Sequence, residues 1–356
     1  MACAAKSAAL VAGHYRMPAE WEPHAATYLA WPHSAETWPG ALDAAQRAMA
    51  LLAAALSECE RVRILVANEQ VEQSARAMAR EAGALLERVE WLHIPTNDAW
   101  IRDFGPIFVN RVDARADLPA QLALNWRFNA WGAKYPPWDL DDAVPRRLAA
   151  RYGFPICDLE AVLEGGSVEV NGAGALLTTE TCLLNPNRNG TLWRKQAAER
   201  FLRDYLGAKT VLWLDGRIAG DDTDGHIDQL ARFAAQDRIV AMVENDPADE
   251  NYLPLKDNLA RLLAMRDERG RAFKIETLPM PDAVYYRGVR LPASYANFYL
   301  ANGAVFVPAF NCANDSRALG ILARLFPQRR VIPIAAAELA IGLGTIHCLT
   351  QQHPLP

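Results

Sequence analysis

Polar loops recur along this chain at a near-constant interval, and that interval restricts the fold more than any single motif does. Asp103 and Glu164 are 61 residues apart, Glu164 and His226 are 62 apart, and His226 and Cys348 are 122 apart, which is two further periods. A fixed period means that one supersecondary unit is reused, so that equivalent loops leave every unit at the same phase. Hydrophobic patterning supplies the unit. Short apolar runs at Ala25 to Trp31, Arg61 to Val66 and Arg88 to Ile94 read as strands, with helices at Asp43 to Ser57 and Gln70 to Glu81 between them. The order returns with strands at Ile107 to Asn110, Leu122 to Arg127 and Pro155 to Leu159 and a helix at Asp141 to Arg151. A hairpin, Ser167 to Val170 and Ala175 to Thr179, turns at Asn171-Gly172 and is followed by a helix from Leu192 to Leu206 and a strand from Thr210 to Leu214. Further rounds place strands at Leu230 to Ala234, Ile239 to Val243 and Lys274 to Leu278 around a helix from Leu255 to Glu268. The last round has strands at Ala296 to Leu300, Ala304 to Val307 and Val331 to Ile334 around a helix from Ser316 to Leu325. Five mixed strand-helix-strand-strand units about a central axis, an α/β fold, would bring their equivalent loops to one end.

Asp103, Glu164, His226, Asp228 and Cys348 would then share a pocket. Cys348 comes after the glycine-broken segment Gly342-Leu343-Gly344, and glycine permits the close approach that lets such a loop present a sulfur. Three carboxylates in one low-dielectric cleft repel one another unless a cation enters. A guanidinium suits them best, because its planar N–H donors match carboxylates in paired geometry. Once gripped, its carbon is open to attack by the Cys348 thiolate, giving a tetrahedral adduct. One nitrogen must leave as ammonia, which needs a proton, and His226 is the histidine with carboxylates beside it. It serves as general acid and afterwards as the base that activates water on a thiouronium intermediate. Each residue also has a plainer reading: Asp103 as a turn residue before Gly105-Pro106, His226-Ile227-Asp228 as simple pairing, and Trp100 as core rather than as an aromatic wall for a cation.

Other chemistries fit less well. The net charge of −5 disfavours a nucleic-acid partner and suits a small cation. No apolar run approaches a membrane span. Residues 1–16 lack the charged start and long apolar middle of a signal peptide and read as an N-terminal extension, mobile or loosely docked, before a single domain over 17–356. The six cysteines are far apart, a pattern of reduced thiols in a cytosol rather than of a disulfide framework. No cofactor and no metal is expected. The Asp221 to Asp228 loop has Gly220 and Ala231 where a calcium loop needs its first aspartate and closing glutamate. His347 beside Cys348 has no zinc-ligand spacing, and Gly165-Gly166-Ser167 is not a serine-nucleophile elbow.

Several ordered motifs carry a resemblance. Met17 to His24, Trp31-Pro32, Asn97 to Pro106, Asn125 to Gly132, Glu164-Gly165-Gly166, Asp221 to Asp228 and Ile346-His347-Cys348-Leu349-Thr350-Gln351-Gln352 together resemble the agmatine deiminases. These belong to the bacterial-type peptidylarginine deiminase family of the guanidino-group-modifying superfamily. The likeness runs from about Tyr15 to the C-terminus. It implies a single-domain five-bladed α/β propeller, the pentein fold, and hydrolysis of agmatine to N-carbamoylputrescine and ammonia in cytoplasmic polyamine synthesis. By motif it implies Cys348 as nucleophile, His226 as acid and base, Asp103 and Asp228 as guanidinium grips, Glu164 as a further grip that orients the histidine, and Trp100 as pocket lining. Members of that family are commonly dimeric or larger, so a homo-oligomer is compatible with the resemblance, while the sequence itself does not set the oligomeric state.

Two features depart from the pattern: Leu343 and Thr345 stand where the nucleophile loop is usually glycine, and Asp224 precedes Gly225-His226 where many members have asparagine. By phase, the fourth loop would bring Tyr286, Arg287 and Arg290 to the border of the site and influence which group the substrate carries beyond its guanidinium. The competing readings are a deiminase of free or peptidyl arginine or another guanidino compound, a non-catalytic guanidinium-binding protein, and a cysteine hydrolase or protease. The surplus of carboxylates opposes the last.

Overall fold

The computed structural model describes residues 12–115, 117–191 and 193–356. Residues 1–11 of the expected extension, the middle of the expected 113–119 turn and the expected helix start at Leu192 lie outside the described residues. The last residues of the extension, Tyr15–Arg16, form an edge strand against Ile107–Arg111, with the Tyr15 ring buried. No helix among the described residues is long and apolar enough to cross a membrane.

Five mixed sheets organise the chain. In four of them a strand pairs antiparallel with the next, and a helical crossover then adds a parallel third strand. Ile107–Arg111, Gln121–Arg127 and Ile156–Val162 form one such sheet. Glu169–Val170, Ala175–Thr179 and Thr210–Leu214 form the next. Ala231–Ala235, Arg238–Val243 and Lys274–Pro279 come third, then Tyr299–Ala301, Ala304–Ala309 and Arg330–Ala335. The fifth sheet closes the molecule, because its antiparallel strand is the C-terminal Thr350–Pro354 laid on His24–Ala30, to which Val62–Val66 and Val89–His93 add in parallel. Crossovers run through Val144–Tyr152, Lys195–Leu206, Tyr252–Ala264 and Asn314–Leu325, with Leu42–Cys59 and Glu69–Glu81 in the fifth sheet.

Each helix is present because its apolar residues fall on one stripe. In Leu42–Cys59 the buried set Ala45, Met49, Leu52 and Leu56 repeats every three or four residues and packs on the sheet. Parallel strands covered on both faces read as continuous apolar runs, as Ile64-Leu65-Val66 does within Val62–Val66.

Several elements depart from the sequence expectation: the first hairpin strand is only Glu169–Val170, the third-round helix starts at Lys195, and the fourth loop holds a small hairpin of Tyr285–Tyr286 and Val289–Arg290. The helix over Asp141 to Arg151 is two, Asp139–Asp142 and Val144–Tyr152, because Pro145 sits in the first turn of the second and cannot continue the first. The helix from Leu255 ends at Ala264, where Arg266 turns to bridge Ala272. The strand expected from Ala296 starts only at Tyr299, because the backbone of Asn297 is used by another loop.

The consequence for function lies in where the chain leaves the parallel strands. After His93, Val162, Leu214, Pro279 and Ala335 it enters loops that carry Asp103, Glu164, His226 with Asp228, Asn297, and Cys348 respectively.

Candidate active site

Gly166 is the point about which the predicted residues gather. A Cβ built there would lie 2.6 Å from His226 Nδ1, 2.8 Å from Asp103 Oδ1 and 3.1 Å from Asp228 Oδ2. Only glycine admits three charged side chains this close to the backbone. Its N–H donates to Asp103 Oδ1 at 2.9 Å, and the Trp131 indole donates to Oδ2 at 3.0 Å, so both oxygens of Asp103 are fixed. Trp131 reaches that place on a run with positive φ at Ala130, Trp131, Gly132 and Ala133. A run of strained residues beside a polar cluster is a mark of a functional site.

Cys348 is buried, with Sγ 3.8 Å from Asp228 Oδ2. Asn297 Nδ2 donates to the sulfur at 3.3 Å, and Gln229 Nε2 lies 4.0 Å away. Burial, then the charges of Asp228 and Asp103, push the thiol well above its ordinary pKa. Alone, it is therefore protonated at neutral pH. Asp228 moves the other way: burial would raise it, but the hydrogen bond and charge of His347 and the charge of His226 bring it below the ordinary value. Its Oδ2 accepts from His347 Nδ1 at 2.7 Å. Its Oδ1 is buried and, among the described residues, has no hydrogen-bond partner. A buried acceptor left open in this way is costly unless a ligand supplies the donor.

His226 lies with Nδ1 3.7 Å from Asp103 Oδ1 and Nε2 3.7 Å from Glu164 Oε2. Burial would lower its pKa, but the Asp103 charge and the close approach of Cys182 and Glu164 raise it well above the ordinary value. Glu164 is held below its ordinary value against burial, chiefly by Arg188, whose Nε donates to Oε1 at 2.7 Å. Asp103 is raised by burial and by Asp228 and Glu164, with His226 opposing. The arrangement is an ionised Glu164, a protonated imidazole and a protonated thiol, packed around carboxylates that want a cation.

Trp100 forms a wall of the nucleophile loop. A Cβ on Gly344 would meet its ring at 2.5 Å and Cys348 Cβ at 3.1 Å, and one on Gly342 would meet Trp38 at 2.7 Å and Trp100 at 2.9 Å. The two glycines that remain in the loop are thus the ones that the indoles press against. Leu343 takes a φ of 71°, a left-handed conformation that glycine adopts more cheaply. Thr345 is fully buried and donates through Oγ1 to Asn297 Oδ1 at 2.6 Å.

The structure thus brings Asp103, Glu164, His226, Asp228, Cys348 and Trp100 together. The residue that reaches the sulfur after the fourth-loop hairpin is Asn297, which sequence reasoning did not single out. Arg290 is paired with Asp249 and Glu250, while Tyr286 donates to Pro39 O and Arg287 lies over the Tyr286 ring beside Gly40. Sequence reasoning also missed Glu20, which accepts from His347 Nε2 at 2.8 Å and pairs with Arg232 at 2.9 Å and Arg102 at 3.4 Å. Arg102 in turn donates to the His347 carbonyl and to Gln352 Oε1, and Gln351 donates to Pro106 O. These bonds interlock the Asn97 to Pro106 motif with the Ile346 to Gln352 motif. Residue type alone gave no sign of the pairing.

Residues 16–354 match the family model of Porphyromonas-type peptidyl-arginine deiminases. The chain is 36% identical over 369 residues to the agmatine deiminase of Pseudomonas aeruginosa strain LESB58, with 96% of each covered. Among solved structures it is similar to the agmatine deiminase of Enterococcus faecalis described as catalysing its reaction, at 33% identity and a TM-score of 0.86, with 96% of both chains covered. It is also similar to a cysteine-to-serine form of the C. jejuni agmatine deiminase with substrate bound, at 32% identity and a TM-score of 0.84, with 95% of this chain and 96% of that chain covered.

Proposed function

The chain belongs to the Porphyromonas-type peptidyl-arginine deiminase family, and from that premise we propose that it is a hydrolase of amidine C–N bonds that converts agmatine and water to N-carbamoylputrescine and ammonia. The observation that carries this reading is Asp228: one oxygen lies 3.8 Å from the Cys348 sulfur, and the other is a buried acceptor with no partner among the described residues. A guanidinium N–H at that oxygen would set the electrophilic carbon beside the sulfur.

The charges dictate the steps. The entering cation offsets the Asp103 and Asp228 charges that help hold the thiol protonated, so the Cys348 proton leaves to solvent and the thiolate attacks the guanidinium carbon. A C–S bond forms and one C=N π pair moves onto nitrogen. The His226 imidazolium gives its proton to the departing nitrogen, the C–N bond breaks, and ammonia leaves a thiouronium on Cys348. The now neutral imidazole takes a proton from water, whose oxygen bonds to the carbon; the C–S bond then breaks and the remaining hydroxyl proton passes to the sulfur, which returns the thiol and releases the carbamoyl product. Glu164 supports this cycle by holding His226 charged until the proton is needed.

The five sheets, each delivering one loop to the same cluster, support a reading of the fold as five α/β blades about a central axis. Free thiols at Cys59, Cys182, Cys312 and Cys348 support a reducing cytoplasmic setting, with the product feeding putrescine formation. The test is ammonia release with product mass from purified protein offered agmatine, free arginine and a blocked arginine peptide. Release from agmatine alone, lost in Cys348→Ala, is expected. Release from arginine or the peptide instead would overturn the substrate and keep the chemistry.

A further inference from the structure

We propose that Glu164, Cys182 and His226 form a binding site for a thiophilic divalent cation of the Zn2+ class, which silences the protein rather than serving as its cofactor. Cys182, from the turn Glu180–Leu183 after the strand Ala175–Thr179, is fully buried behind the imidazole and has no part in the hydrolysis described above. One ligand atom from each of the three residues lies within 4.8 Å of the other two. Two edges of that triangle are 3.7 Å, from His226 Nε2 to Glu164 Oε2, and 3.9 Å, from Cys182 Sγ to the same oxygen. A central ion with metal–ligand bonds of about 2.0–2.3 Å needs donors spaced in this way, after small shifts.

A separate observation points to a ligand. His226 Nε2 is buried and has no hydrogen-bond partner among the described residues, although it faces Glu164 Oε2 and Cys182. The outer groups are those that steady metal ligands. His226 Nδ1 faces Asp103 Oδ1 at 3.7 Å, and Arg188 occupies Glu164 Oε1 and leaves Oε2 to turn inward. One thiolate, one imidazole and one carboxylate favour Zn2+ or Cd2+ over Mg2+ or Ca2+, and three protein ligands leave a fourth position for water.

Binding forms metal–sulfur, metal–nitrogen and metal–oxygen bonds, and the thiol proton and the Nε2 proton leave to solvent. With Nε2 bound to the metal the ring can no longer be the doubly protonated imidazolium, and the single proton it keeps, on Nδ1, is too weakly acidic to be given to the departing nitrogen. That inhibitory consequence rests on the proposed deimination, whereas the binding does not.

The test separates the two. Cys348→Ala protein, which lacks the competing thiol, is titrated with Cd2+ by calorimetry and ultraviolet absorbance. One equivalent with a thiolate-to-metal absorption band is expected, with the band lost and the affinity at least about tenfold weaker when Cys182→Ser is added. No binding, or a band that survives Cys182→Ser, would overturn the site. If the double variant does not fold, cadmium NMR of the Cys348→Ala protein decides: a shift typical of one thiolate ligand supports the site, and one typical of oxygen and nitrogen alone overturns it. In the active protein, the Zn2+ concentration that halves ammonia release is expected to rise at least about tenfold on Cys182→Ser. A protein that bound Cd2+ in this way and released no ammonia from any guanidine would sink the proposed function and leave the metal site standing.

Discussion

Cys348 is a thiol whose reactivity is set by its neighbours rather than by its own chemistry. Burial and the Asp228 and Asp103 carboxylates all favour the protonated form, so in the free protein the thiolate fraction rises only as pH climbs past the ordinary thiol range. Alkylation of Cys348 by iodoacetamide is expected to be slow at pH 8 and to accelerate steeply above it. Asp228→Asn, which removes one of the opposing charges, is expected to shift that profile to lower pH; an unchanged or higher profile would contradict the assignment. Thr345 acts one bond further out. Thr345→Val removes one of the donors that fix Asn297 Oδ1, which keeps the His347 N–H at 3.1 Å, a loss of about 0.5–1.5 kcal/mol at that bond. Turnover is expected to fall roughly tenfold with KM little changed, as steady-state kinetics would show. The acidic and nucleophilic residues were legible in the sequence because their loops share a phase. Asn297 was not, since a neutral amide ten residues from Arg287 has neither the charge nor the spacing that drew attention.

Strands and helices were legible wherever apolar residues alone decide them. The strands Ala175–Thr179 and Thr210–Leu214 fall where the pattern set them. Boundaries moved where a polar residue had tertiary work, as at Asn297, or where proline broke a helix, as at Pro145. The nucleophile loop makes the same point with glycine. Its glycines are demanded by Trp38 and Trp100, which no local pattern reveals. Gly344→Ala would push a methyl into the Trp100 ring, at a cost of about 1–3 kcal/mol, and would displace the wall beside Cys348. Both a lower melting temperature and reduced activity are expected; a variant with wild-type values for both would show that the indole contact is dispensable.

The molecule is closed by polar groups as much as by apolar ones. Thr350–Pro354 is laid on His24–Ala30, and under that junction Glu20 gathers His347, Arg102 and Arg232. Burial would raise Glu20, but Arg232, His347 and Arg102 hold it well below the ordinary carboxylate range. Its contribution to stability is therefore present above its unfolded pKa and is lost as pH falls through the lower folded value. Glu20→Gln leaves the buried Arg102 without its carboxylate, while Arg232 keeps Glu169 at 3.0 Å, and is expected to destabilise the fold by about 3 kcal/mol, read as a lower urea midpoint at pH 7. An unchanged midpoint would show that the closure does not depend on Glu20. Most strands of the five mixed sheets were legible from the apolar pattern, whereas the pairing of Thr350–Pro354 with His24–Ala30 was not, because a five-residue polar strand such as Thr350–Pro354 carries no apolar alternation.

The central claim is that the carbon of a guanidine becomes bonded to Cys348 with loss of ammonia. Its most direct test is acid quenching of the protein during turnover of agmatine, with mass analysis of the peptide that contains Cys348. A transient gain equal to agmatine less ammonia on that peptide, absent in Cys348→Ala, is the predicted result. Ammonia released with no adduct at any quench time, or an adduct on another residue, would contradict it.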